Sequence, residues 1–97
     1  MLIARVIGTT VSTIKDEKLS GRKLLILQQT DETGEPSGRP YVAVDTVDAG
    51  IGDLVLTAAG SSARQTDITK DTPVDAVIMS IIDSLEVDGK VVFRKYG

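Results

Sequence analysis

From Leu2 to Thr13 (LIARVIGTTVST) the chain alternates apolar and polar positions and is dense in β-branched residues, so its period of two predicts a first strand. Gly8, in the middle of that run, predicts a bulge or bend of the kind a small barrel needs. A polar stretch, KDEKLSGR, separates it from KLLILQQT, which begins at Lys23 and reads as a second strand. DETGEPSGRP packs two glycines and two prolines into ten residues and reads as a surface loop. YVAVDTV is then a third strand, with Tyr41, Ala43 and Asp45 on one side and Val42, Val44 and Thr46 on the other. DAGIGD turns the chain into LVLTA, a fourth strand. Gly60 ends that strand, and Ser61 or Ser62 is placed to cap one short helical turn through Ala63, Arg64 and Gln65.

The next segment carries two patterns at once. Val74, Val77, Ile78, Ile81, Ile82 and Leu85 recur at helical spacing behind a Thr72-Pro73 start signal. The same run is β-branched, and Asp88-Gly89 after it is a strong hairpin turn leading into the strand KVVFRK. Periodicity alone leaves helix and strand about even, while the hairpin favours strand for Ile81 to Val87. Five or more strands in so short a chain predict a mainly β domain spanning residues 1–97. The expected architecture is a small OB-like five-stranded barrel with one short helix and a C-terminal hairpin strand. Closure removes the edge strands that invite aggregation.

Composition narrows the chemistry. The 97 residues suffice for one domain with a modest core, a size that gains from partner subunits. Apolar residues make up 41% but aromatics only 3%, so the core must be aliphatic. There is no cysteine and no histidine, which excludes disulfides, thiolate chemistry, histidine bases and Cys/His zinc sites. A carboxylate-only calcium or magnesium site stays open, but no EF-hand array is present, and the expectation is neither a metal nor a cofactor. Net charge is −3 with scattered lysines and arginines, which leaves no nucleic-acid footprint. No run approaches the roughly 20 apolar residues of a membrane span, and no signal-peptide core is visible at the start. The expectation is a cytoplasmic protein with neither membrane nor nucleic acid as partner.

The most unusual stretch is AAGSSARQTD, Ala58 to Asp67. As a phosphate cradle, Gly60-Ser61-Ser62 lacks the further glycines and the lysine of a P-loop, leaving only weak anion binding at a helix start. As a nucleophile loop it lacks both the G-x-S-x-G pattern and a histidine base, and nothing specific supports a pair with Lys70. No catalytic residue is expected. The structural reading is that small residues sit where backbones approach closely, in a tight turn or where several copies meet on an axis. Asp45, Asp48 and Asp53 flank AGIG and read as turn formers and solvated caps rather than an acid–base pair. Arg64 suits a fork onto a carboxylate or carbonyls of a neighbouring chain, and equally suits plain solvation. An OB-type module for single strands is the alternative function, but three aromatics and a net acidic charge support it poorly.

Taken together, the blocks IARVIGTTVST, KLLILQ, VAVDTVDAGIGDLVL, GSSAR, PVDAVIMSIID and GKVVFRK resemble the bacterial microcompartment vertex proteins over nearly the whole chain. Those are the pentameric shell proteins of carboxysomes and of ethanolamine- and propanediol-type organelles. Two positions depart from the pattern: Asp48, where that family often has glycine, and Leu54, where many members carry a larger aromatic. The resemblance implies an OB-like barrel, a non-enzymatic homopentamer and hexameric shell proteins as further partners. It resolves the ambiguous segment toward strand. It also implies that Gly60, Ser61 and Ser62 line a pore on the five-fold axis, and that Arg64, Asp45, Ala49 and Gly50 belong to the subunit interface.

Overall fold

The computed structural model describes residues 1–10, 22–59 and 76–96. Among the described residues seven strands follow in chain order: β1 (Leu2–Thr9), β2 (Leu24–Thr30), β3 (Pro36–Asp45), β4 (Leu54–Ala59), β5 (Ala76–Ile81), β6 (Ser84–Val87) and β7 (Lys90–Arg94). The first five close into a barrel in the order β1-β2-β3-β5-β4, and β6 with β7 forms a separate two-stranded sheet. All barrel pairings are antiparallel except β3 with β5, which run parallel over only Val44↔Val77 and Asp45↔Ile78. This is the predicted mainly β, OB-like barrel with its C-terminal hairpin. The proposed short helix over residues 61–65 lies outside the described residues.

Alternation builds the core. Ala4 and Val6 of β1, Leu25 and Leu27 of β2 and Ala43 of β3 point inward, where they meet Val55, Ala76 and Ile78. Each fully buried Leu or Ile contributes roughly 1.5–3 kcal/mol by leaving water. Leu24, Val44, Val77 and Ala58 form a smaller cluster along the rungs Leu24↔Val44, Val44↔Val77 and Val77↔Ala58. β5 therefore buries Val77 and Ile78, adjacent residues that face opposite sides. That double burial put apolar residues at helical spacing in a segment that is a strand.

Gly8 sits where expected. The β1–β2 register slips between Val6 and Gly8, leaving Ile7 as the extra residue of a bulge, 47% exposed. The hairpin turn also matches: Asp88 (φ 52°) and Gly89 (φ 77°) are both left-handed, as a two-residue turn of type I′ requires.

Two boundaries differ from expectation. Only residues 31–35 form the loop after β2, because Pro36–Pro40 already belong to β3. Prolines are tolerated there because β5 leaves that part of β3 as an edge, and the irregular register around Gly38 (φ 77°) absorbs the misfit. Residues 81–87 are likewise not one strand. The chain leaves the barrel at Ile82, whose amide donates to the Leu54 carbonyl (2.8 Å), and β6 starts after Asp83.

The hairpin is held to the barrel by particular contacts, since a lone hairpin is marginal in water. The Arg5 guanidinium lies 5.9 Å from the centre of the Phe93 ring, and the Lys95 ammonium is 3.5 Å from Asp53. The Lys95 amide donates to the Asp83 carbonyl at 2.8 Å.

Candidate functional site

The turn from Asp45 to Asp53 and the rungs beside it hold the candidate residues that the structure describes. Asp45 ends β3, and its amide donates to the Lys23 carbonyl (2.9 Å) just ahead of β2. One carboxylate oxygen, Oδ1, accepts from the amides of Val47 (3.0 Å) and Ala49 (3.2 Å), which winds the chain into a turn. Thr46 donates its hydroxyl to the Ile78 carbonyl (2.7 Å), tying the same turn to β5. Asp48 follows at φ 59°, a left-handed conformation that explains why glycine suits the position and that Asp tolerates better than most residues. Asp53 closes the turn by accepting from the Gly50 amide (2.9 Å).

These carboxylates are turn formers, as read from the sequence, but only Asp48 is a solvated one. The Asp45 side chain is 1% exposed and the Asp48 side chain 90%. Ala49 packs into the main core and Leu54 is buried, whereas Gly50 stays on the surface. The sequence reasoning missed Lys23, whose ammonium donates to Asp48 (2.8 Å) and stands 3.8 Å from Asp45 Oδ2. No local signal could have found it, because its partners lie 22 and 25 residues away in the chain. Gly60, Ser61, Ser62 and Arg64 lie outside the described residues.

Electrostatics follow this geometry. The bond from Lys23, with its charge, holds the Asp48 carboxyl below the usual carboxylate range and raises Lys23 in turn. In the loop after β2, Asp31 Oδ1 accepts from the Thr33 hydroxyl (2.6 Å), the Thr33 amide (2.8 Å) and the Glu35 amide (3.1 Å). Those bonds also lower its carboxyl, the Thr33 hydroxyl most of all. A depressed folded value stabilises above the unfolded value of about 3.9 and is lost as pH falls through the folded value. Stability should therefore drop as pH is lowered below about 4. Asp31→Asn keeps an acceptor but no titrating charge, so urea midpoints measured across that range should fall less steeply in the variant.

No group of three metal-ligating side chains occurs among the described residues. The aromatics do not form a stacking platform: the Tyr41 hydroxyl is bonded to Thr57 (2.7 Å), Phe93 lies beneath Arg5, and Tyr96 stands at the C-terminal turn. No helix among the described residues is long and apolar enough to cross a membrane.

The family model "Ethanolamine utilisation protein EutN/carboxysome" matches residues 1–83. The chain belongs to the EutN/CcmL family. The matched part ends one residue before β6, so the C-terminal hairpin lies beyond it. Among relatives within this EutN/CcmL family, the carboxysome shell vertex protein CcmL of Gloeobacter violaceus is 44% identical over 95 residues. That alignment covers 98% of this chain and 95% of that protein. The microcompartment shell vertex protein EutN of Salmonella typhimurium is 41% identical over 95 residues, 98% of this chain and 96% of its own. The solved structure of Gloeobacter violaceus CcmL superposes with a TM-score of 0.90 at 43% identity, covering all of both chains. GrpN of Rhodospirillum rubrum, a pentameric microcompartment shell protein, superposes at 0.78 with 45% identity, covering 90% of this chain and 99% of its own.

Proposed function

We propose that this protein is a vertex protein of a bacterial microcompartment: five copies form a ring that caps the corners of the shell in the cytoplasm. The observation that carries this reading is the full-length match to carboxysome and ethanolamine-type vertex proteins, in sequence and in fold. A head-to-tail interface repeated at about 72° closes into a ring of five. Flat layers of hexameric tiles need such five-fold units to curve, so hexameric shell proteins are the partners expected at the rim. The work is geometric and needs no catalytic group.

Gly60, Ser61 and Ser62 are proposed to converge on the five-fold axis, where five side chains must share a narrow space and small polar ones fit. Support comes from their place directly after β4, which ends at Ala59, two residues beyond Thr57 on the rung that Asp45 shares through Ile78. Arg64, Asp45 and Gly50 are assigned to the interface between copies, with Ala49 holding the turn from inside.

Native mass measurement tests the reading. Five chains of 10.3 kDa make a particle of about 52 kDa, and a stable monomer at every concentration overturns it. Arg64→Ala should raise the protomer concentration at which that particle half dissociates, by roughly tenfold for a crossing charged hydrogen bond. An unchanged midpoint removes Arg64 from the interface.

A further inference from the structure

Asp45 spends only half of its carboxylate on its own turn. Oδ1 accepts the Val47 and Ala49 amides, while Oδ2 is buried and has no hydrogen-bond partner. Lys23 does not fill that gap. Its ammonium is 3.8 Å from Oδ2, beyond hydrogen-bonding reach, and is committed to Asp48 at 2.8 Å. A carboxylate oxygen removed from water and left unbonded is costly, so such a group is retained where a donor reaches it. Asp45 lies at an open cleft of about 430 Å³ that Arg22, Lys23, Thr46, Val47 and Asp48 also line. That cleft has room for a side chain arriving from outside.

We propose that Asp45 Oδ2 is the socket for a guanidinium or ammonium group of a second copy of this chain, the neighbour in the ring. The inference rests on the vertex reading and adds to it the chemistry of one contact. Position selects a second copy as the occupant. Asp45 pairs with Ile78, and Ile78 pairs with Thr57, one rung from the Leu24–Val44–Val77–Ala58 line. Two residues beyond Thr57 the chain leaves β4 toward residues 60–62, proposed to face the axis. Chemistry selects a cation: the socket offers only acceptor capacity at Oδ2, and a charged donor makes the strongest bond to it. The side chains of Arg39, Lys90 and Arg94 make no hydrogen bond or ion pair among the described residues, so cationic groups remain to be shared.

Asp45→Asn is the direct test. The asparagine oxygen can still accept the Val47 and Ala49 amides, but its NH2 repels an incoming cation. The variant should raise the half-dissociation concentration of the pentamer by roughly 30-fold or more. Asp48→Asn makes the same charge change at an exposed left-handed position that asparagine accepts. It should leave the midpoint unchanged or lower it, since removing negative charge from an acidic ring relieves repulsion. Thr46→Arg reaches the socket by the opposite route, filling the cleft from within while Asp45 is kept, and should weaken the ring as well. Equal shifts in Asp45→Asn and Asp48→Asn overturn the proposal as a general charge effect. An Asp45→Asn variant that loses thermal stability but keeps its midpoint overturns it too, because the carboxylate then serves its own chain alone. If the wild-type chain never forms a pentamer, the vertex reading fails and takes the socket with it. An unaltered midpoint in a pentameric Asp45→Asn variant sinks the socket only.

Discussion

Replacing Leu27 with alanine is expected to remove roughly 2–5 kcal/mol from the stability of the protomer. Leu27 is fully buried at the centre of β2, opposite Val6 on β1 and Tyr41 on β3, and belongs to the main core cluster. Its loss removes the transfer free energy of the side chain and leaves a cavity. A rigid closed sheet cannot collapse to fill that cavity. Domains of this size hold about 5–15 kcal/mol in total, so the variant should be near the edge of folding. Urea unfolding at fixed protomer concentration reads the effect, with an unchanged slope showing that only stability moved. A loss below about 1 kcal/mol would mean that Leu27 is not packed as described.

Ser62→Trp should abolish the ring. If residues 60–62 meet near a five-fold axis, five indoles must occupy space that five hydroxymethyl groups fill. Overpacking of that order cannot be relieved by one rotamer change, because symmetry repeats every clash five times. The expected result is a shift from a particle of about 52 kDa to the 10.3 kDa chain, with the barrel's circular dichroism unchanged. A Ser62→Trp pentamer of normal mass would place these residues away from the axis while leaving the vertex reading intact. Together with Leu27→Ala this separates two energies, one holding the barrel and one holding the ring.

Local patterning carried most of the barrel. Alternation in LIARVIGT and LLILQQT set which side chains point inward. Gly8 marked the bulge, and Asp88-Gly89 marked a turn that only left-handed residues make well. These features are legible because they depend on neighbours within a few residues. The segment after Pro73 was not legible in this way. Val77 and Ile78 are both buried because β5 is covered on two sides, and a period of two disappears when neither face meets water. Pro36 to Pro40 misled for a related reason: two prolines and a glycine signal a loop, yet an edge strand tolerates all three.

By itself the sequence determined the fold class, the aliphatic core and the absence of histidine and cysteine chemistry, since composition and short-range pattern are sufficient for each. Its family blocks also determined the kinship that the full-length match bears out. Only the tertiary structure decided what the acidic turn is. Three aspartates of similar sequence context became a buried half-used carboxylate, an exposed ion-pair partner and a turn closure. Desolvation separated them, and desolvation depends on Lys23, Ile78 and the barrel wall, which reach Asp45 only when the sheet closes.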